Sequence, residues 1–543
     1  MAMLIYGDSC LHCTARHPVP SPLRTMSVAD VDKAQPEDEL KFRDHVLTYI
    51  FAFNFGATVL DSSEKWNQNM LDHMADGLRR GAWKPFDLDV DKLKASGAVK
   101  ELVERFMKPE EELNFISIQR RWKFVMPPLL ITLQPGSSGE PVRAVPVLTI
   151  HESGIAHITL FMGNAGQRSA EDLMNFVESF EELSVDVELD DEYKEKLAQI
   201  KGALDKACPS DVHQMGSRRL RCSVYFHQGN CLGNLLNTGR GACSLREVFS
   251  LLTLMAYHMA YMEYGRGGGI DEGEFLRAMS GAGFIPYVLI HALADGGDEL
   301  NDVFEQVVKR FPRQVFGIVS HKKSGYLTRK SERVANSLVD IYESREGSQF
   351  VGGMVSLFIG SSRAWMSGSL VGGIGSSLLG KVAKDADDFG LLIGVRLLLH
   401  LYDYELGKVL DEGDASDLFR VERRVAKGME DVHEVRHQLY SRTSHWWWLA
   451  MERLRVDAAY EAVREKLERA NFLVVNEDSR QINLSMLALS IMSAIISAIL
   501  VAEAFLPQQW RAGGAVIIAA SLSLILARLS SIMNRLAGRW ARR

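Results

Sequence analysis

The last seventy residues constrain this chain more than any other stretch. From Ala470 an amphipathic segment enters the run Ile482–Ala502, which is 21 residues without a formal charge. About 20 apolar residues at 1.5 Å rise cross a ~30 Å hydrocarbon core. The run is therefore expected to form a transmembrane helix, placed at 481–505. A short outer loop follows at 506–511. The second apolar run, Ala512–Ala527, has 16 residues before Arg528. Arg528 can snorkel, and Leu529, Ile532 and Met533 extend the apolar character. A second transmembrane helix is thus expected at 512–533, with a basic tail at 534–543. A buried helical hairpin is the alternative. The loop carries only Arg511, whereas Arg528, Arg535, Arg539, Arg542 and Arg543 follow the second run. The positive-inside rule then places both termini in the cytoplasm of a multi-pass protein of the plasma or inner membrane.

The remaining length is enough for several domains. A net charge of -7 argues against a globally basic nucleic-acid binder, and no nucleic-acid partner is expected. Residues 1–36 are Pro-rich and polar, without an apolar leader, and read as a flexible tail. The six cysteines suit a reducing compartment. Cys10 and Cys13 form CxxC, but prolines follow at once, so the context for a metal or redox site is missing. Cys208, Cys222, Cys231 and Cys243 are irregularly spaced and read as isolated thiols.

The pattern along the chain predicts an α+β (α/β) cytoplasmic domain, then long stalk helices, then a C-terminal two-helix transmembrane hairpin. Residues 37–125 read as a helical N-terminal region. Within it, Glu37–Asp61 is expected to be a core helix, because its uncharged centre is too short to span a bilayer. The α/β domain is placed at 126–384. Residues 128–134, 142–152 and 154–162 are β-type runs, the last two joined by a hairpin at Glu152-Ser153-Gly154. Acidic helices are expected at 168–183 and 190–206, a Leu/Met/Tyr-rich core helix at 245–264, and further strands at 221–228, 284–293, 317–320, 354–360 and 364–373. The acidic stretch at 183–200, with Glu188, Asp190, Asp191 and Glu192, reads as a solvated face. A regulatory divalent cation such as magnesium is the sharper reading, and no resident cofactor is implied. The stalk, 385–480, is helical. Val456, Val463 and Ala470, interleaved with Tyr460, Leu467 and Val474, are two seven-residue series that predict lengthwise helix packing. No Gly or Pro interrupts Leu449–Leu506, so one continuous helix is expected there.

Signatures of catalysis are weak. Gly375-Ser-Ser-Leu-Leu-Gly380-Lys381 has P-loop spacing, but Val382 stands where a Ser or Thr would hold magnesium. A nucleotide hydrolase is therefore an alternative only, and the chain is expected not to be an enzyme. His258, His291, His400, His433, His437 and His445 are scattered and read as structural.

The first membrane-type helix has a small, polar seam. Asn483, Ser490 and Ser497 are seven apart, with Met486, Ser493 and Leu500 between them. Such groups either hydrogen-bond within a helix bundle or line a pore where several copies meet. Glu503 stands at the helix exit. The order of α/β body, stalk, NEDSRQINLSMLALSIMS (476–493), short outer loop and basic tail resembles the CorA-type magnesium transporter superfamily. The resemblance implies a homopentamer in the lipid bilayer, a pore lined by Asn483, Met486, Ser490, Ser493, Ser497 and Leu500, and gating by a small ligand of the cytoplasmic domain. Where that family carries Gly-Met-Asn, this chain has AEAFLPQQW (502–510), with Glu503, Gln508 and Gln509 as the polar groups at the pore mouth. The expected function is an oligomeric, CorA-like cation channel or transporter. The alternative is a membrane-anchored signalling or defence effector whose hairpin permeabilises the membrane.

Overall fold

The computed structural model describes residues 40–55, 74, 76–86, 88–108, 121–133, 142–178, 184–188, 191–207, 240–265, 272, 284–294, 311–320, 340–344, 347–360, 370–371, 374–412, 415–441 and 446–505. In chain order the strands are β1 (Lys41–Asn54), β2 (Arg121–Val125), β3 (Leu129–Leu133), β4 (Val142–His151), β5 (Ile155–Ser169), β6 (Ser184–Glu188), β7 (Arg240–Ser244), β8 (Phe284–Ala294), β9 (Asp340–Ser344), β10 (Gly347–Val351), β11 (Val355–Gly360), β12 (Leu370–Val371) and β13 (Ile374–Gly375). The helices are α1 (Gly97–Met107), α2 (Ala170–Glu178), α3 (Asp191–Ala207), α4 (Leu245–Ala260), α5 (Pro312–Ser320), α6 (Ser376–Glu412), α7 (Ala415–Ser441), α8 (Trp446–Arg453) and α9 (Val456–Phe505).

An 11-stranded sheet organises the body, in the order β7-β6-β3-β4-β5-β1-β8-β11-β10-β9, with β2 added against β4. The pairings are antiparallel apart from β8 with β11. The expected β4–β5 hairpin is present, and Gly154 turns it at φ 83°, a conformation that glycine adopts without steric cost. β1 lies at the centre, between β5 and β8. The helix expected over Glu37–Asp61 is therefore corrected to a strand over Lys41–Asn54. Leu47, Tyr49, Phe51 and Phe53 enter the core beneath α4, while Val46, Ile50 and Ala52 enter the core beneath α6. A strand buried on both faces carries no polar alternation, so its apolar run imitates a buried helix.

Two smaller corrections share this origin in tertiary context. Residues 317–320, expected as a strand, end α5, because Val315, Ile318 and Val319 place one helical face in the core. Cys243, expected as an isolated thiol, is disulfide-bonded. β6 begins the acidic stretch and pairs with β3 and β7, while the side chains of Glu188, Asp190, Asp191 and Glu192, expected on a solvated face, lie outside the described residues. The expected strand at 221–228 and the pair Cys10/Cys13 lie outside the described residues.

Both faces of the sheet are covered. α4 opens with a capping box: Glu247 donates its amide to Ser244 Oγ, and its carboxylate accepts from the Ser244 amide. Across the sheet, α6 buries Leu378, Leu379, Val382, Phe389, Leu392 and Ile393, and Phe389 stacks on Tyr287 at 4.9 Å. α7 and α9 then pack along α6. Val456, Val463 and Ala470 are buried, with Tyr460 and Leu467 partly buried between them, as the seven-residue series predicts. The uninterrupted helix expected from Leu449 is broken at Leu454 and Arg455, where Arg455 has φ 53°.

The membrane hairpin is not seen. Among the described residues, no helix is long and apolar enough to cross a membrane. The expected first span, 481–505, is instead the distal half of α9, a 50-residue helix about 75 Å long at 1.5 Å per residue. Its proximal half is charged, and Asn483, Ser485, Ser490, Ser493 and Ser497 recur through the distal half. The described helices therefore do not supply the apolar run that a span needs. The transmembrane fold class, the multi-pass membrane placement and the ion-transport reading built on the hairpin are corrected accordingly. Residues 506–543, with the second expected span, lie outside the described residues.

Candidate functional site

The most concentrated chemistry is a buried polar layer between α6 and the sheet. Strand alternation creates it. Arg121 and Lys123 on β2, Thr149 and His151 on β4, His157 and Thr159 on β5, Thr48 on β1 and His291 on β8 fall on the alternate positions that face α6. Register brings Arg121 opposite His151, Lys123 opposite Thr149, and Thr149 opposite His157. From above, α6 lowers the segment Lys381-Val-Ala-Lys-Asp385-Ala-Asp387-Asp388-Phe-Gly390.

Asp387 is the hub. Its carboxylate lies 3.0 Å from Arg121 Nη1 and 2.8 Å from Lys123 Nζ. Burial alone would raise its pKa, but the two cations outweigh burial and hold it down to about 2. Lys123 also donates to the Phe106 carbonyl and sits 4.1 Å from that ring's centroid, a cation–π contact that ties α1 to the layer. Asp385 accepts from His291 Nε2 at 2.9 Å and from Lys381 Nζ at 3.0 Å. Burial opposes its charge, but Lys381 and His291 more than compensate, and its pKa is lowered. Lys381 further lies 4.6 Å from the Phe358 ring centroid. The P-loop-like lysine is thus held by Asp385. β13 runs directly into α6 at Ser376, so Ser376–Lys381 is helical and leaves no loop between strand and helix to cradle a phosphate.

His151 and His157 complete the layer. Their rings meet through Nε2 and Nδ1 at 3.0 Å. Burial pushes the His157 pKa down to about 3, against the pull of Asp387. His151 is also held well below the usual range, by burial and then by His157 and Arg121. Burial likewise lowers His291, partly offset by Asp385. Gly390 admits His157: a Cβ at that position would lie 2.5 Å from the ring's Nε2. Sequence reading singled out His291 and Lys381 but missed His151, His157, Asp385 and Asp387. The available signal was polar residues at alternate positions inside two apolar strands, together with three carboxylates in four residues of a core helix.

The residues read as pore-lining form a second arrangement. Asn483, Met486, Ser490, Ser493, Ser497 and Leu500 all lie on the exposed distal half of α9. They share it with Phe472, Val475, Ile482, Leu484, Leu489, Met492 and Ile496, and exposure reaches 67% at Phe472 and 65% at Leu489. Glu503 falls in the helix's last turn, and Gln508 and Gln509 lie outside the described residues. The two arrangements are linked. α6 carries the polar layer at one end, and towards its other end Lys466 of α9 reaches Asp403 at 2.8 Å.

Among the described residues, no group of three or more His, Cys, Asp or Glu side chains is placed to hold a metal ion. His258 pairs with Glu272 on the opposite side of the body. Comparison with known proteins finds no matching family model, no matching curated protein and no matching solved structure.

Proposed function

We propose that the chain is a self-assembling, non-enzymatic regulatory protein, in which the α/β body carries a helical arm through which several copies associate. The observation that carries this reading is the distal half of α9, where large apolar side chains stand exposed beyond Ala470. Soluble surfaces carry scattered apolar residues, but large exposed apolar side chains as closely spaced as those from Ile482 to Leu500 mark an interaction surface.

A second copy fits the arm by its spacing. Asn483, Ser490 and Ser497 recur every seven residues, with Met486, Ser493 and Leu500 between them. That average period of 3.5 is the one with which helices wrap lengthwise. Small residues at the seam let backbones approach closely. Exposed apolar groups also fall outside the seam, at Leu484, Leu487, Leu489, Met492 and Ile496. A single partner helix covers one stripe, so this distribution favours a bundle of more than two arms.

The pore reading required a membrane-crossing hairpin and is not carried forward. Assembly does not require it. The test is a photo-activated cross-linker placed at Met486 in the full-length chain. Covalent multimers of the chain are expected, whereas the same probe at Arg423 on α7 gives none. Cross-links from Met486 that are confined within one chain would refute the reading.

A further inference from the structure

The histidines beneath α6 have no task in arm assembly, and their hydrogen bonding has a restriction built into its geometry. His151 Nε2 and His157 Nδ1 face each other at 3.0 Å, a contact that holds a single hydrogen. Two imidazolium rings would place N–H against N–H. On its other side, His157 Nε2 is buried without a hydrogen-bond partner, beneath the backbone of Gly390. A proton there would meet no acceptor. His291 is restricted in the same way. Its Nε2 donates to Asp385, and its Nδ1 is buried without a partner. Each ring keeps these hydrogen bonds and its packing when neutral, and neither His157 nor His291 has an acceptor waiting for a second proton.

The surrounding charges do not relieve this. From β2, Arg121 and Lys123 face the histidine pair. From α6, Asp387 also faces it, but those two cations already occupy its oxygens. Lys381 and Asp385 surround His291, and Asp388 is buried one residue beyond Asp387. α1 contributes Arg105, which is paired with Glu101 and lies close to Gly380. The helix over this layer continues to Asp403 and Gly407, where Lys466 of α9 closes onto it.

We propose that the contact between α6 and the sheet is an acid-sensitive latch: protonation of the His151–His157 pair and of His291 releases the first half of α6 from the sheet, and α6 passes the shift to the arm through Lys466. The proposal uses different residues from arm assembly, and either can fail while the other stands.

Hydrogen exchange on the full-length chain at pH 7.5 and pH 5.0, corrected for the intrinsic pH dependence of exchange, tests it. Protection of the α6 amides 385–394 is expected to fall at least tenfold further than protection of the α4 amides 248–256, which pack on the opposite face of the sheet. Equal falls on the two faces, or no fall at α6, would overturn the latch. Gly390→Ala provides a second route, because the added Cβ displaces the His157 ring. This variant is expected to show the low α6 protection already at pH 7.5. Wild-type protection in a folded Gly390→Ala chain would overturn the proposal as well. Should the variant not fold, the wild-type titration decides alone.

Discussion

The carboxylate of Asp387 meets the guanidinium of Arg121 at 3.0 Å across 266 residues of sequence. The contact pins α6 to the strand added at the side of β4, and Lys123 closes on the same carboxylate. Removing the anion leaves two largely buried cations without their partner. Breaking a buried pair on one side costs about 3–5 kcal/mol. Asp387→Ala is therefore expected to lower the unfolding free energy by that amount, read as a lower denaturation midpoint at an unchanged m-value. A loss under about 1 kcal/mol would show that the layer is solvated and not a buried network.

Two glycines in helices should respond to alanine in opposite directions. A Cβ at Gly428 of α7 would lie 1.9 Å from the hydroxyl of Tyr402, a buried residue of α6. Gly428→Ala must displace that ring and is expected to cost about 1–3 kcal/mol, the usual scale of overpacking. Gly202 of α3 has nothing within 4 Å of such a Cβ. Gly202→Ala is expected to stabilise by about 0.4–1 kcal/mol, through helix propensity and the reduced freedom of the unfolded chain. Thermal or denaturant unfolding of the two variants side by side checks both signs.

Stability should also depend on pH in two windows. His151, His157 and His291 have folded-state pKa values below the ordinary 6.5, and that of His157 is about 3. Between that value and 6.5 the unfolded chain binds more protons than the folded chain. Stability is therefore complete above 6.5 and declines as pH falls, by up to about 1.4 kcal/mol per pH unit for each such ring. Asp385 and Asp387 are lowered as carboxylates, Asp387 to about 2, so their contribution is present above 3.8 and is lost only at lower pH. The denaturation midpoint is expected to drop between pH 7 and pH 5, with a shallower slope in His157→Gln. A midpoint that rises or stays level over this range would contradict the assignment of neutral buried rings.

How far the sequence was legible follows from how local each signal is. The β4–β5 hairpin was readable because Gly154 and the flanking β-type runs are adjacent. The packing of α9 was readable because Val456, Val463 and Ala470 repeat every seven residues. β1 was not, since burial on both faces erased the alternation that separates strand from helix. β6 was hidden by its own acids, and its place depends on β3 and β7, far away in sequence. The polar layer was the least legible. Asp387, Arg121 and His157 are distant in sequence and meet only through the strand order, which no local pattern encodes. The seam of α9 was legible as a pattern, but Asn483, Ser490 and Ser497 suit a helix bundle as well as a pore, so the spacing alone could not assign its use.

Charge on the arm should separate assembly from folding. Met486 and Ser493 are exposed in the single chain, so aspartate at both positions meets no buried neighbour within it. Their replacement is expected to abolish multimers while leaving the unfolding free energy of the body within about 0.5 kcal/mol of wild type. A body destabilised by several kcal/mol would show that the arm folds back onto it.

The central claim is that arms of several chains come together, and the mass of the purified full-length particle tests it most directly. Native mass spectrometry or light scattering in detergent-free buffer is expected to give a multiple of the 60.7 kDa chain greater than two, falling to a single chain in Met486→Asp/Ser493→Asp. A wild-type particle of one chain mass over the same concentration range would contradict the account.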